Sequence, residues 1–255
     1  MWLKAQFHFH TGVDPKDGYI KYSPYQAIDT ASQKGFKLLS FTHHKQLVFS
    51  VDWQKYAASK GILLIPGVEY EIYHRHIVIL NADADINKVK TFEDLRAYKA
   101  SHNVFVIAPH PFYPGSWGLG AYLYKYPELW DAIEFSLFYS YRFLQGPNQK
   151  AVKFADKHNL PVVGTGDVHF LRYLEDTYSL IKTDYFVDED MEESNYGKII
   201  DNIFQNMREH KVKIVTHPMS LLEAGIYGWT FVKEWSKYKI SSFFKGKTKV
   251  NILKD

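Results

Sequence analysis

Short apolar runs alternate with stretches of helical period along most of this chain. Trp2–Phe9 predicts a strand, and Ser23-Pro24 then supplies the N-cap and first-turn proline of a helix that Gly35 closes. Phe36–Phe41 predicts a second strand, Asp52–Lys60 a helix stopped by Gly61, and Ile62–Ile65 a third strand. His76–Leu80 is strand-like, and Thr91-Phe92-Glu93-Asp94 has the spacing of a capping box that opens a helix to about Ser101. Val104–Ala108, Ala132–Phe135 and Pro161–Val163 predict further strands, with a helix over Asn148–His158. A longer amphipathic helix near Glu192–Glu209 precedes a last strand, Val212–Val215. Alternation sustained over roughly 200 residues predicts an α/β fold with a mainly parallel sheet. About seven βα units without a Gly-rich dinucleotide fingerprint favour a closed or distorted barrel, a doubly wound open sheet being the alternative. In either, the chemistry belongs at the C-terminal ends of the strands.

Composition narrows the chemistry. The 255 residues are 46% hydrophobic and 23% charged, as expected of one large soluble domain. A net charge of +3 is too small to argue for nucleic acid. The absence of cysteine excludes disulfides and thiolate catalysis and restricts any metal site to His, Asp and Glu. No apolar run approaches the ~20 residues of a membrane helix. The first residues, Met1 to Gln6, lead into a polar, His-rich stretch rather than a leader, so the expectation is a cytoplasmic protein without a membrane partner.

The twelve histidines matter for where they fall. The first strand ends in His8-Phe9-His10, the second in Thr42-His43-His44, and the third in Pro66-Gly67-Val68-Glu69. His76 stands beside the next, His110 follows Ile107-Ala108-Pro109, and Asp167-Val168-His169 closes the run Val162 to Gly166. Alternate residues of a strand point the same way, so His8 and His10 can reach one ion, as can Asp167 and His169. Imidazole and carboxylate together suit Zn, Mn or Fe. One such residue at a strand end is ordinarily structural; the same pattern after five separate apolar runs is not. His102, His158, His210 and His217 carry no such weight.

The ordered strings HFHT, FTHH, PGVE, RHIVIL, APHP and GTGDVH resemble the PHP (polymerase and histidinol phosphatase) superfamily of metal-dependent phosphoesterases over about residues 1–216. The resemblance implies a distorted (β/α)7 barrel with two or three divalent ions at the strand C-termini. It implies that His8, His10, Glu69 and Asp167 hold one ion, that Glu69 bridges to a second held by His76 and His110, and that Asp17, His44 and His169 take a third. The chain departs from the family twice. His43 stands where Asp is usual, and a longer loop after His10 makes Asp14 a rival to Asp17; His74 likewise competes with His76. The implied reaction is hydrolysis of a phosphate ester of a small metabolite or nucleotide by water that the ions activate. A metal-dependent amidohydrolase is the first alternative, although it would want a bridging lysine where this chain has Glu69; a retired PHP module used for binding is the second.

A phosphate also needs cationic partners. Arg75, between His74 and His76, and Arg172, three residues past His169, are the candidate phosphate clamps; Arg142, Lys16 and Lys45 are further choices. His43 is the candidate proton donor to the leaving oxygen. Residues 217–255 form a separate extension, in which Leu221, Leu222, Ile226, Trp229, Val232 and Trp235 approximate helical spacing that Gly225 and Gly228 weaken. The lysines at 237, 239, 245, 247 and 249 follow. A terminal helix packed on the barrel with a solvated tail is expected there, a dimer contact or nucleic-acid edge being the alternatives. The expected partner is a small phosphorylated substrate.

Overall fold

The computed structural model describes residues 1–115, 117–137, 139 and 145–248, with residues 240–248 described by their backbone alone. Arg142 and Lys249 lie outside the described residues, as do the side chains of Lys245 and Lys247.

In chain order the elements are β1 (Trp2–Phe9), α1 (Pro24–Gln33), β2 (Phe36–His44), α2 (Val51–Ala58), β3 (Leu63–Leu64), β4 (Gly67–Ile72) and β5 (Arg75–Leu80). There follow α3 (Phe92–Ser101), β6 (Phe105–Ala108), α4 (Ala121–Lys125), β7 (Ala132–Ser136), α5 (Gln145–His158) and β8 (Val162–Thr165). The last are β9 (Thr177–Lys182), α6 (Tyr196–Arg208), β10 (Val212–Thr216) and α7 (Leu221–Thr248). The helix starts follow the sequence signals. Ser23 accepts from the Gln26 amide while the Gln26 side chain returns to the Ser23 amide, and Thr91 and Asp94 repeat the exchange before α3.

One sheet runs in the order β10-β9-β1-β2-β4-β5-β6-β7-β8, with β3 beside β2, and it curls into a nearly closed barrel. The sheet is mixed rather than mainly parallel: β4–β5, β5–β6, β1–β9 and β9–β10 are antiparallel. The predicted third strand shrinks to Leu63–Leu64, and β4 and β9 were not foreseen. The reason at β4 is the turn. Ile72 pairs with Arg75 across a two-residue connection in which Tyr73 and His74 both have positive φ (51° and 62°), a hairpin geometry normally announced by Asn-Gly.

The barrel interior is filled by Leu3, Ala5 and Phe7 of β1 with Leu38, Val78, Leu80, Phe105, Ile107 and Val163. Helix α6 adds Ile199, Ile200, Ile203, Phe204 and Met207 to that core. Arg208 at its end donates to the Val104 carbonyl and to Asp131, so α6 covers the N-terminal ends of β6 and β7. The opposite end is thereby left for polar groups. On β1, a register shift between Gln6 and Phe9 interrupts the strand's alternation. Phe7 stays in the interior, Phe9 joins the outer layer with α1 and α2, and His8 and His10 share the face turned to the barrel mouth.

The barrel closes at β8 without a ladder to β9. Instead the Gly164 amide donates to Ser179 Oγ at 2.9 Å and Ser179 Oγ donates to the Gly164 carbonyl at 3.0 Å. A Cβ at position 164 would lie 2.7 Å from Ile214 Cγ2 and 2.8 Å from the Tyr178 carbonyl oxygen, so the approach requires glycine. No helix among the described residues is long and apolar enough to cross a membrane.

Candidate metal centre

His8 and His10 leave the end of β1, His44 ends β2, and Glu69 lies on β4. His76 is the second residue of β5; because β5 runs antiparallel to β4, its beginning reaches the mouth where parallel strands end. His110 follows β6, and Asp167 and His169 follow β8. His110 and Asp167 adopt left-handed backbone (φ 30° and 39°), a costly conformation for residues other than glycine. Gly166 makes the second turn possible, since a Cβ there would meet Val168 at 2.5 Å and Gln6 Nε2 at 2.7 Å.

Glu69, almost fully buried, stands at the centre. Its Oε1 lies 3.3 Å from His8 Nε2, 2.7 Å from His76 Nδ1 and 3.2 Å from His110 Nε2. Its Oε2 lies 3.6 Å from His10 Nε2 and 2.9 Å from His44 Nε2. Asp167 Oδ1 approaches His8 Nε2 at 3.3 Å and His10 Nε2 at 3.2 Å, while Asp17 Oδ2 pairs with His169 Nε2 at 2.8 Å. The structure thus brings together His8, His10, Asp17, His44, Glu69, His76, His110, Asp167 and His169.

The donor atoms test whether this cluster suits cations. Among the described residues His8 Nε2 and His10 Nε2 are buried and make no hydrogen bond. Buried polar atoms left in that state are costly. Bonds of about 2.0–2.1 Å at tetrahedral angles would set neighbouring donor atoms roughly 3.3–3.4 Å apart. The four spacings from His8 and His10 to Glu69 and Asp167 run from 3.2 to 3.6 Å. The residues fit a divalent ion of the Zn, Mn or Fe type.

Two further carboxylates fix the imidazoles from behind. Glu134 Oε1 accepts from His8 Nδ1 at 3.0 Å, and Glu134 also takes the Thr165 hydroxyl and the His110 amide. Asp14 Oδ2 accepts from His10 Nδ1 at 2.8 Å and from His44 Nδ1 at 3.1 Å. Each contact places the proton on Nδ1 and turns the Nε2 lone pair toward the cluster. Asp14 therefore supports the imidazoles from behind, and Asp17 is the one that faces the cleft. Glu134 was not among the sequence candidates; its signal was a lone acid inside the apolar run Ala132–Phe135, a position that demands a partner. Removing its charge in Glu134→Gln should weaken metal binding about 10- to 100-fold, read by competition with a chelating dye. Unchanged affinity would remove Glu134 from this role.

Electrostatics follow from the crowding. Burial works against ionising Glu69, but His76, His44 and His8 hold its carboxyl well below the usual range. Burial likewise opposes charge on His44, yet Glu69 and Asp14 push it up to about 10. Stability from a raised histidine is full below its unfolded pKa of 6.5 and is lost as pH climbs through the folded value. The metal-free protein should therefore lose stability between pH 6.5 and about 10 as His44 gives up its proton. Excess metal should flatten or reverse that slope, because cations compete with protons for the same nitrogen. Urea titrations with and without chelator at several pH values check this; parallel slopes would contradict it.

The three residues assigned catalytic roles from sequence do not line the cleft. His43 is fully buried, its Nε2 2.8 Å from Thr11 Oγ1, and burial with repulsion from His10 lowers its pKa to about 4. Arg75 donates to the Gly118 carbonyl at 2.7 Å and lies over the Tyr122 ring. Arg172 spreads over Tyr173, 4.6 Å from the ring centre, and reaches Thr230. The cation that does line the cleft is Lys16, whose Nζ is 3.3 Å from His76 Nε2. That cleft has a volume of about 500 Å³.

The nearly closed mixed barrel is a fold shared with solved structures, among them PHP-like metal-dependent phosphoesterases. The chain is similar to a two-domain protein from Bacteroides vulgatus containing a predicted PHP-like metal-dependent phosphoesterase (TM-score 0.61, 18% identity), over 85% of this chain and 65% of that one. It is similar also to PsfC from Pseudomonas syringae (TM-score 0.58, 14% identity), over 92% of this chain and 98% of PsfC. A third similar structure, from Bifidobacterium adolescentis, is assigned to the metal-dependent phosphoesterases (TM-score 0.50, 11% identity, 78% and 96% covered). At these identities the likeness is one of fold, and the chain spans 65% of the length of the first. No family model and no curated protein matches the sequence.

Proposed function

We propose that this protein is a metal-dependent phosphoesterase that hydrolyses the phosphate ester of a small metabolite or nucleotide. The observation that carries the reading is the set of inward, unbonded Nε2 lone pairs of His8 and His10 beside Glu69 and Asp167 at coordination spacing. In this reading His8, His10, Glu69 and Asp167 would hold one ion, Glu69 with His76 and His110 a second, and Asp17, His44 and His169 a third. His44 stands between the second and third groups, its Nε2 2.9 Å from Glu69 and its Nδ1 3.4 Å from Asp17. When bound, divalent ions would supply a nucleophilic water at neutral pH and offset charge on the phosphoryl oxygens.

The chain's own groups do the rest. Lys16 takes a nonbridging phosphoryl oxygen in place of the arginines. Asp14 and Glu134 hold the Nδ1 side of their imidazoles and aim Nε2 inward. Tyr113 lines the same cleft; burial and the nearby Glu134 charge raise its phenol, so it remains protonated and can donate there. The test is a panel of phosphomonoesters, phosphodiesters and amides with protein loaded with Mn, Zn or Fe. Phosphate release is expected. Turnover of amides alone would make the chain a C–N hydrolase, and turnover of nothing would make it a binding module.

A further inference from the structure

We infer that the cleft selects phosphate monoesters whose leaving alcohol carries an aromatic or bulky apolar group close to the ester oxygen. The inference rests on the phosphoesterase reading above and concerns what surrounds the phosphate.

The metal cluster occupies one wall of the cleft, and the others are of a different character. Helix α7, which adds no strand to the barrel, lays Tyr227, Phe231 and Val232 along the mouth, and Trp117 and Leu137 line it from the β6 and β7 loops. The apolar lining begins at the cluster itself: the Phe231 ring meets the His169 ring edge-on at 6.4 Å and the Tyr19 ring at 5.5 Å. The first atoms of a leaving alcohol, beyond a phosphoryl group held at the cluster, would therefore touch carbon.

Charge points the same way. Among the described lining residues, the one charged group outside the imidazole–carboxylate cluster is Lys16, and its 3.3 Å contact with His76 places it beside that cluster. It serves the phosphoryl group being cleaved and leaves no other described lysine or arginine lining this cleft for a second phosphate or a carboxylate. Polyol hydroxyls set against Phe231, Val232 and Leu137 would exchange water for carbon and lose hydrogen bonds, the lining hydroxyls being those of Tyr113, Ser136 and Tyr227. An apolar group loses nothing and buries rings that now stand open, Phe231 36% and Trp117 42% exposed.

The wall is held in position. The Trp117 carbonyl accepts from the His76 amide at 2.9 Å, tying its loop to β5, and the ring lies so close over Gly115 that a Cβ there would be 2.2 Å from it. Helix α7 is fastened by Lys21 to Glu234 at 2.8 Å and by Tyr227 packed on Phe170 and Tyr173. A cleft of about 500 Å³ is of the size that takes one small molecule.

The test compares esters with alkyl leaving groups of similar acidity, so that intrinsic reactivity does not decide the result: 2-phenylethyl phosphate, ethyl phosphate and glycerol 3-phosphate. The metal-loaded protein should favour 2-phenylethyl phosphate over glycerol 3-phosphate by at least about 30-fold in kcat/KM, since each methylene-sized contact is worth roughly 10- to 200-fold. Calorimetry with the uncleavable 2-phenylethylphosphonate and methylphosphonate should show the same order in affinity. Phe231→Ala and Trp117→Ala should each shrink the preference. Equal kcat/KM for all three esters, or equal phosphonate affinities, would overturn the selectivity while leaving the phosphoesterase reading intact. A Phe231→Ala loss identical for every ester would also overturn it, marking the ring as structural. Release of phosphate from none of them would remove the reading itself and this inference with it.

Discussion

Asp167→Ala and His8→Ala are each expected to abolish phosphate release, with losses of about 100-fold or more. The bound comes from the layer behind: replacing groups that only orient ligands already costs about 10- to 100-fold in affinity or activity. Asp167 Oδ1 lies within 3.3 Å of both His8 Nε2 and His10 Nε2, so its loss leaves two imidazoles without their shared acid. His8 is the mirror case, since Glu69, Asp167 and Glu134 all converge on it. Burial opposes its charge, yet Asp167, Glu69 and Glu134 raise its pKa well above the ordinary value. Alanine at position 8 therefore also leaves Glu134 facing an empty volume, and folding must be checked by circular dichroism alongside activity. A folded His8→Ala or Asp167→Ala protein that turns over ester at the parent rate would refute the proposed centre.

Metal removal should lower the melting temperature by several degrees. One ion at 100 times its Kd stabilises the folded chain by about 2.7 kcal/mol, provided the unfolded chain does not bind it. In a chain of this size each kcal/mol moves Tm by about 2–4 °C, so a single filled site corresponds to roughly 5–11 °C. The direction is favoured by what the ions relieve. Asp14, Asp17, Glu69, Glu134 and Asp167 crowd a few neighbouring histidines, and several of the inward nitrogens make no hydrogen bond among the described residues. Differential scanning fluorimetry with Mn, Zn or Fe against chelator reads the shift directly. Identical melting curves after verified metal removal would count against any cation at this mouth.

Much of this arrangement was legible before any coordinates, and the reason is local. Apolar runs ending in His, Glu or Asp placed these side chains at strand ends, and the resemblance of the ordered strings to the PHP superfamily grouped His8, His10, Glu69 and Asp167 as one set. The helix starts were equally plain, because capping boxes are written within four residues. The β4–β5 hairpin was hidden because Tyr73 and His74 do not advertise positive φ. β9 has the alternating burial of a strand, but no Gly or Pro marks either of its ends. The functions of Glu134 and Asp14 depend on which imidazole nitrogen each meets, which no spacing encodes. The arginines show the converse: Arg75 and Arg172 are near ligands in sequence, but a carbonyl and aromatic rings claim them. Helix α7 formed through Gly225 and Gly228, and its place along the cleft depends on contacts with Phe170, Tyr173 and Lys21 from distant segments.

The seam between β8 and β9 gives the cluster a second task. At its free margin β8 is joined to the rest of the wall by the Ser179 hydroxyl, the Gln6 amide and one bridge from Phe9 to Val168. Asp167 hangs from that margin, while His8 and His10 hang from the end of β1 beside it. A cation shared among them would act as a clasp, reinforcing a seam that the backbone closes there, among the described residues, with only the two bonds from Val168 to His8 and His10.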